Sequence, residues 1–254
     1  PAELMTTLSS AADVLRCYSD ERRDLTVTQV SRLLEMPKSN ASRLLRAMAA
    51  CGLLETVGAS KRYRPGVAVY EAGRQYRLTS PFAAHIDEAA ARVSEKLCGA
   101  VDAVSVIERD GPFVLSVAER GAEGLIMRPA APRRIATAVA PGQVLLARLG
   151  DEAIRAMFAR PWAGFAPLAD DIFAEASRSV AQARRRGFAA LADGKGGIEI
   201  AVALGDPTLR KDAALCVVAR EGASATDIAR ALHEICATLA TTLRDSQFGA
   251  FNAD

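Results

Sequence analysis

Apolar and polar residues alternate with a helical period over the first fifty residues of the chain. Apolar positions between residues 4 and 18 are spaced by three and four, which predicts a helix with one apolar stripe. Thr26 and Gln29 have the spacing of a capping box and predict the start of a second, short helix. Met36 and Pro37 are expected to end that helix and begin a third, with Pro37 at the first helical position.

The third predicted helix has one face for a core and one for solvent. Its core positions recur at i, i+3, i+4, i+7 and i+8 and are Ala41, Leu44, Leu45, Met48 and Ala49. A polar and basic stripe begins at the helix start and continues on the opposite face, and it consists of Lys38, Ser39, Asn40, Ser42, Arg43 and Arg46. Gly52 is placed to end the helix in a left-handed conformation.

A hairpin is predicted after this helix, from two short strands around the turn VGAS. Its basic residues are Lys61, Arg62 and Arg64. Three helices followed by a hairpin within about sixty residues form the outline of a winged helix-turn-helix.

The polar stripe has the composition of a surface that reads DNA. Asparagine and arginine can pair with two atoms of an adenine or a guanine edge, serine can contact either base, and lysine and arginine can bind phosphates. Any exposed helix also carries polar residues, so the stripe alone leaves both interpretations open. The capped preceding helix, the Met36-Pro37 turn and the basic hairpin together favour DNA reading, with the hairpin cations toward phosphates or the minor groove.

Helical and strand patterns then follow in the rest of the chain. Residues 67–79 predict a connecting helix, residues 81–97 predict another, and two strands are expected to meet at Asp110-Gly111. Further strands are predicted in the segments IEIAVAL and AALCVVAR. Strands grouped with intervening helices indicate an α+β fold with an antiparallel sheet.

Charge and composition narrow the classes of function. Residues 1–80 contain twelve Lys and Arg against eight Asp and Glu, so the small net charge of +2 conceals a basic excess in the segment expected to bind nucleic acid. Five scattered cysteines without a CxxC pair and only two histidines give no zinc-site or triad pattern, so neither a cofactor nor an enzyme is expected. No apolar run is long enough to span a bilayer and the first ten residues carry no signal-peptide pattern, which favours a cytoplasmic location.

These motifs resemble the DNA-binding domain of the IclR-type (isocitrate-lyase-regulator) transcription factors. The segment VTQVSRLLEMPKSNASRLLRAMAACGLLE is similar to the family's helix-turn-helix, and KRYRPG is similar to its wing, with Pro65-Gly66 where Leu-Gly is usual. The resemblance extends more loosely to GQVLLARL, ARRRGFAALADGKGGIEIAV and AALCVVAREG. It implies a dimeric or tetrameric regulator of operator DNA, with a winged helix-turn-helix at residues 1–66, a linker helix at 67–79 and a GAF-like effector-binding and oligomerisation domain at 80–254.

The resemblance also implies where a small effector binds. The matching positions lie before and at the start of a glycine-containing helix and on two strands near the end of the chain. They are Ala140, Pro141, Gly142, Asp193, Gly197, Ile200, Cys216 and Val218, with Met127 on the middle strand as a further candidate.

The chain departs from the family at this site. The loop RRIATAVAPG lacks the usual proline and histidine, and Cys216 and Val218 stand where serines often bind a carboxylate. Thiol and isopropyl groups are poor partners for an anion. We therefore expect a more apolar effector than glyoxylate or pyruvate, such as an aromatic acid, with a vestigial pocket as the equal alternative. Two other functions stay open: an enzyme in the C-terminal domain, and a constitutive DNA binder whose C-terminal domain serves only for oligomerisation.

Overall fold

The structure is a computed structural model that describes residues 2–58, 60–79, 86–97, 99–121, 134–159, 167–194, 196–204 and 213–249. The chain divides into two compact units, one of residues 1–76 and 159–167 and the other of residues 77–158 and 168–254. The sequence predicts that the DNA-binding domain ends at residue 66 and the linker helix at residue 79. These two domain limits stay predictions. Among the described helices, none combines the length and the apolar character needed to cross a membrane.

The first unit contains the predicted winged helix-turn-helix. Its elements are α1 (Ala2–Arg16), β1 (Leu25–Thr26), α2 (Val27–Leu33), α3 (Lys38–Ala50), β2 (Leu54–Thr56), β3 (Arg62–Pro65) and most of α4 (Val67–Thr79), whose last three residues belong to the second unit. The three strands form an antiparallel sheet in the order β1-β3-β2. The sequence pattern did not predict β1, because two residues are too few to show an alternation.

Local hydrogen bonds explain where the helices of this unit begin and end. The Thr26 side chain accepts from the Gln29 backbone N–H while the Gln29 side chain accepts from the Thr26 backbone N–H, as the capping box predicts. Pro37 is the N-cap of α3 because its ψ of 140° is not helical, so the helix begins at Lys38, one residue later than predicted. Gly52 follows α3 with a φ of 78°, which confirms the predicted left-handed end.

A close backbone contact fixes the exit of the wing. Gly66 donates its backbone N–H to the Leu53 carbonyl at 2.9 Å. A Cβ atom at Gly66 would collide with the Gly52 carbonyl oxygen, so only glycine fits there. The Pro65-Gly66 pair therefore sets how β3 leaves the sheet and how α4 begins.

The second unit is the predicted α+β domain. Its elements are α5 (Ile86–Lys96), β4 (Val101–Asp110), β5 (Phe113–Gly121), β6 (Arg134–Ile135), a 3₁₀ turn (Ala136–Ala138), α6 (Ala140–Leu146), α7 (Asp151–Phe158), α8 (Asp170–Arg186), β7 (Phe188–Ala192), β8 (Ile198–Leu204), β9 (Ala213–Ala219) and α9 (Ala225–Gly249). The six strands form one antiparallel sheet in the order β6-β5-β4-β9-β8-β7. The hairpin predicted at Asp110-Gly111 joins β4 and β5.

Both faces of this sheet are covered, and each has its own core. On one face, which we call the α9 face, Ile200, Leu215 and Val217 pack with residues of α5 and α9. On the other, which we call the α6 face, Ala201, Cys216 and the 3₁₀ turn pack with residues of α6, α7 and α8. The α6 face of the central strands is built from small side chains, so the helices approach it closely.

Candidate nucleic-acid and effector sites

Helix α3 presents the polar stripe to solvent. Its core side is closed by Ala41, Leu45 and Met48, which are buried against α1, α2 and the small sheet. The stripe residues Lys38, Ser39, Asn40, Arg43 and Arg46 are exposed and Ser42 is half-buried. All six predicted residues therefore lie on the accessible side of one helix in the first unit.

Two contacts order the stripe. Arg43 Nη2 donates to Asn40 Oδ1 at 2.9 Å, one helical turn earlier. Arg46 Nε donates to the Ser42 carbonyl oxygen at 3.3 Å. Asn40 and Arg43 therefore form one hydrogen-bonded unit on the exposed face, with the remaining N–H groups of both residues available to a ligand.

The three wing cations differ in their surroundings. Arg62 Nε lies 2.5 Å from Asp24 Oδ1, and Arg64 Nε lies 2.5 Å from Glu55 Oε1. The second pair joins directly opposed residues of β2 and β3. Lys61 is exposed immediately before β3. Part of the charge predicted for DNA contact is thus already balanced by carboxylates of the first unit.

The predicted effector residues around α6 are all buried. Ala140, Pro141 and Gly142 lie at the start of the helix, which packs on the α6 face of the sheet. A Cβ atom at Gly142 would collide with the Ala136 backbone, its carbonyl oxygen first. Gly142 therefore makes a close backbone contact with the 3₁₀ turn that no larger residue could make.

The predicted residues on β7, β8 and β9 fall into separate places. Asp193 Oδ1 accepts from the Gly197 backbone N–H at 2.8 Å and so closes the turn between β7 and β8. Val218 is half-buried on β9, two residues from Cys216 and therefore on the same face of the strand. A Cβ atom at Gly197 would lie 3.0 Å from Val218 Cγ1, so these residues meet near one end of β8.

Ile200 lies away from this group. It belongs to the core on the α9 face, whereas Cys216 belongs to the core on the α6 face. The strand register opposes Ile200 to Val217 and Ala201 to Cys216, so Ile200 and Cys216 point to opposite sides of the sheet. Ile200 therefore cannot share a pocket with Cys216 and α6. Met127, the remaining predicted residue, lies outside the described residues.

A partly buried ion pair on the α6 face was not predicted from the sequence. Arg134 Nη1 lies 2.5 Å from Glu199 Oε1, and the Glu199 side chain is only 9% exposed. Glu199 is two residues before Ala201 and so shares its face of β8. A glutamate within the apolar run IEIAVAL was the signal that could have marked this position, since burying a carboxylate requires a partner.

Ser105 and Cys216 also lie on this face. They are direct partners in the register of β4 and β9, and Ser105 Oγ donates to the Cys216 carbonyl at 3.5 Å. Burial raises the pKa of the Cys216 thiol well above its ordinary value; the Glu199 carboxylate raises it further, and Arg134 opposes that effect. The thiol is therefore a neutral, small apolar group beside an ion pair.

Known proteins match the helix-turn-helix and a large part of the chain. Residues 7–58 match the model of the IclR helix-turn-helix domain. The HTH-type transcriptional regulator TtgV of Pseudomonas putida is 27% identical over 153 residues, which are 59% of this chain and 56% of TtgV. The chain thus spans about half the length of the curated relatives it matches.

Solved structures share the fold over more than nine-tenths of the chain. An IclR family transcriptional regulator from Brucella abortus has a TM-score of 0.73 at 16% identity and covers 93% of this chain and 92% of its own. An IclR homologue from Microbacterium hydrocarbonoxydans, solved in complex with 4-hydroxybenzoate, has a TM-score of 0.61 at 22% identity and covers 94% and 98%. Residues 7–58 therefore form an IclR-type helix-turn-helix domain, and the chain has the fold of the IclR-type transcriptional regulators.

Proposed function

We propose that this protein regulates transcription by binding operator DNA through α3, with an affinity that a small organic effector changes. The observation that carries the proposal is the exposed stripe on α3, which sets amide, hydroxyl and guanidinium groups on the outer face of an IclR-type helix-turn-helix. In a helix-turn-helix protein, the second helix of the motif enters the major groove. The function is regulatory and involves no catalytic step, and it would be carried out in the cytoplasm.

The polar and basic residues of α3 and the wing have different roles in this proposal. Asn40 and Arg43 would contact base edges, together with the hydroxyls of Ser39 and Ser42. Lys38, Arg46 and Lys61 would neutralise phosphates and so make the affinity depend on salt. Arg62 and Arg64 would hold the wing in place through their ion pairs and contact phosphates secondarily.

The surface of α4 supports the proposal that the protein self-associates. Val67 and Tyr70 are 67% and 72% exposed. At 100° per residue, these two side chains lie within one apolar stripe of the helix. Large apolar side chains in one stripe are typical of a protein–protein contact. We propose that two copies meet along α4, which would place two helix-turn-helix units on the halves of a pseudo-palindromic operator; dimer and tetramer both satisfy this arrangement.

The effector is proposed to bind on the α6 face of the second unit. Arg134 offers a guanidinium that suits a carboxylate, and Cys216 and Val218 offer apolar contacts to a ring. An aromatic acid satisfies both groups, and the homologue from Microbacterium hydrocarbonoxydans was solved with one. Glu199 would have to release Arg134 as the effector carboxylate arrives, so binding would change the contacts of β6 and β8.

The alternative is a constitutive regulator with a vestigial pocket, since small side chains and a satisfied ion pair also make an adequate core. Thermal-shift measurements with a panel of aromatic acids, short keto acids and matched amides distinguish the two. The proposal expects stabilisation by an aromatic acid that is lost in Arg134→Met. Retained operator binding, together with no response to any acid, would favour the constitutive regulator.

A further inference from the structure

We infer that α3 selects guanine rather than adenine at the base pair that faces Asn40 and Arg43. The inference rests on the proposed DNA binding and names the base that this pair of side chains reads. It follows from which hydrogen-bonding atoms of the pair are already engaged before DNA arrives.

The oxygen with which Asn40 would recognise adenine is already hydrogen-bonded within the protein. Bidentate recognition of adenine needs an amide oxygen to accept from the N6 amino group and an amide nitrogen to donate to N7. In this protein Asn40 Oδ1 already accepts from Arg43 Nη2 at 2.9 Å. The unused hydrogen-bonding atoms of the pair are then mainly the amide N–H₂ of Asn40 and the other N–H groups of Arg43, all of which are donors.

The second lone pair of Asn40 Oδ1 does not restore the adenine reading. An adenine amino group brought to that oxygen would carry its own N–H hydrogens toward the guanidinium of Arg43, and two positively polarised groups repel. A guanine edge presents two acceptors, O6 and N7, at the same place. The guanidinium of Arg43 and the amide N–H₂ of Asn40 both attract these acceptors, so both side chains favour guanine.

The neighbouring long side chains add donors and charge. Lys38 carries an ammonium group that only donates, and Arg46 keeps its two terminal NH₂ groups because its Nε is bonded to the Ser42 carbonyl. Lys38 and Arg46 are exposed. The hydroxyls of Ser39 and Ser42 can donate or accept and do not oppose the choice. The accessible face of α3 thus matches an acceptor-rich, guanine-containing half-site.

The matched substitution is Arg43→Met, which keeps the length and helix propensity of the side chain and releases Asn40 Oδ1. The full chain and this variant would each select duplexes from a randomised library, and the retained pools would be sequenced. Arg185→Met, an equivalent change on the exposed surface of α8 in the second unit, is the control and should return the wild-type motif. Thermal melting of each variant confirms that it is folded.

The expected wild-type motif contains a guanine in each half-site, preferred over adenine by about fivefold to 150-fold. In Arg43→Met that preference should disappear and adenine should be favoured at the same position. An adenine at the Arg43-dependent position of the wild-type motif, or a motif that Arg43→Met leaves unchanged, would overturn the inference while leaving DNA binding intact. A wild-type protein that enriches no duplex would instead overturn the proposed function itself, and this inference with it.

Discussion

Arg62 and Asp24 join the wing to the segment that precedes β1, with Arg62 Nε 2.5 Å from Asp24 Oδ1. The contact lies beside the β-bridge between Thr26 and Arg62, and the Tyr18 hydroxyl donates to the Tyr63 carbonyl at 3.1 Å on the neighbouring residue. β3 is therefore held by one side-chain contact from Tyr18, just after α1, and by another from Asp24, just before β1. Arg62, which the sequence analysis assigned to DNA contact, therefore also holds the wing in place.

The wing cations should contribute unequally to the salt dependence of DNA binding. Lys61→Ala should reduce the slope of log affinity against log salt by about 0.9, the value for one phosphate contact. Arg64→Ala should reduce it by less, because Glu55 already balances that guanidinium. Fluorescence anisotropy with one duplex across a salt series measures both slopes. Equal reductions would show that the Arg64–Glu55 pair opens on DNA.

Gly66 should be intolerant of a methyl group. Gly66→Ala places a Cβ against the Gly52 carbonyl, and we expect the free energy of unfolding to fall by about 1–3 kcal/mol, as for other overpacked sites. Gly73→Ala is the matched control, since a Cβ there meets no heavy atom within 4 Å and alanine favours the helix. Urea unfolding followed by circular dichroism measures both variants. A Gly66→Ala protein as stable as wild type would mean that the exit of the wing adjusts freely.

The Arg134–Glu199 pair should behave as a coupled unit. Arg134→Met leaves a buried carboxylate without this partner and should lower the free energy of unfolding by about 1–3 kcal/mol. Adding Glu199→Gln should recover part of the loss, so the double variant costs less than the two single variants together. Lys96→Met, in an exposed pair with Glu234, should cost no more than about 1 kcal/mol and serves as the comparison. Additive effects at Arg134 and Glu199 would contradict the coupling.

Buried thiols should weaken the fold at alkaline pH. Burial raises the pKa of Cys236 to about 12, and it also raises the pKa of Cys216. Above pH 9.0, the ordinary value, the unfolded thiols lose protons that the folded thiols keep, so the free energy of unfolding should fall by about 1.4 kcal/mol per pH unit for each thiol. Urea unfolding at pH values on both sides of 9.0, with a Cys216→Ala/Cys236→Ala variant, checks this. An unchanged slope in the variant would contradict it.

The helix-turn-helix could be predicted from the sequence because its signals are local. The Thr26–Gln29 capping box, the apolar spacing in α3 and Gly52 each depend on residues within one or two turns, and all are present as predicted. Ion pairs with carboxylates distinguish Arg62 and Arg64 from Lys61, and these pairs could not be predicted. Asp24 and Arg62, for example, are separated by 38 residues in the chain.

The effector site could be predicted less completely from the sequence. The family resemblance grouped Ile200 with Cys216, and alternation along a single strand does not say which face of the sheet a residue occupies; the strand register separates the two residues. The strand β7 was missed because the segment FAALA has no β-branched residue. Arg134 and Glu199 meet only through the tertiary fold, across 65 residues of sequence.

The central claim, that α3 reads duplex DNA, is tested most directly by capturing fragments of sheared genomic DNA with the purified protein. The wild-type chain should retain a specific subset of fragments that survives a rise in salt from about 50 to about 200 mM, and an Arg43→Ala/Arg46→Ala variant of the same fold should retain none of that subset. Retention of the same fragments by the variant, or of no fragment by the wild type even at the lower salt, would contradict the claim.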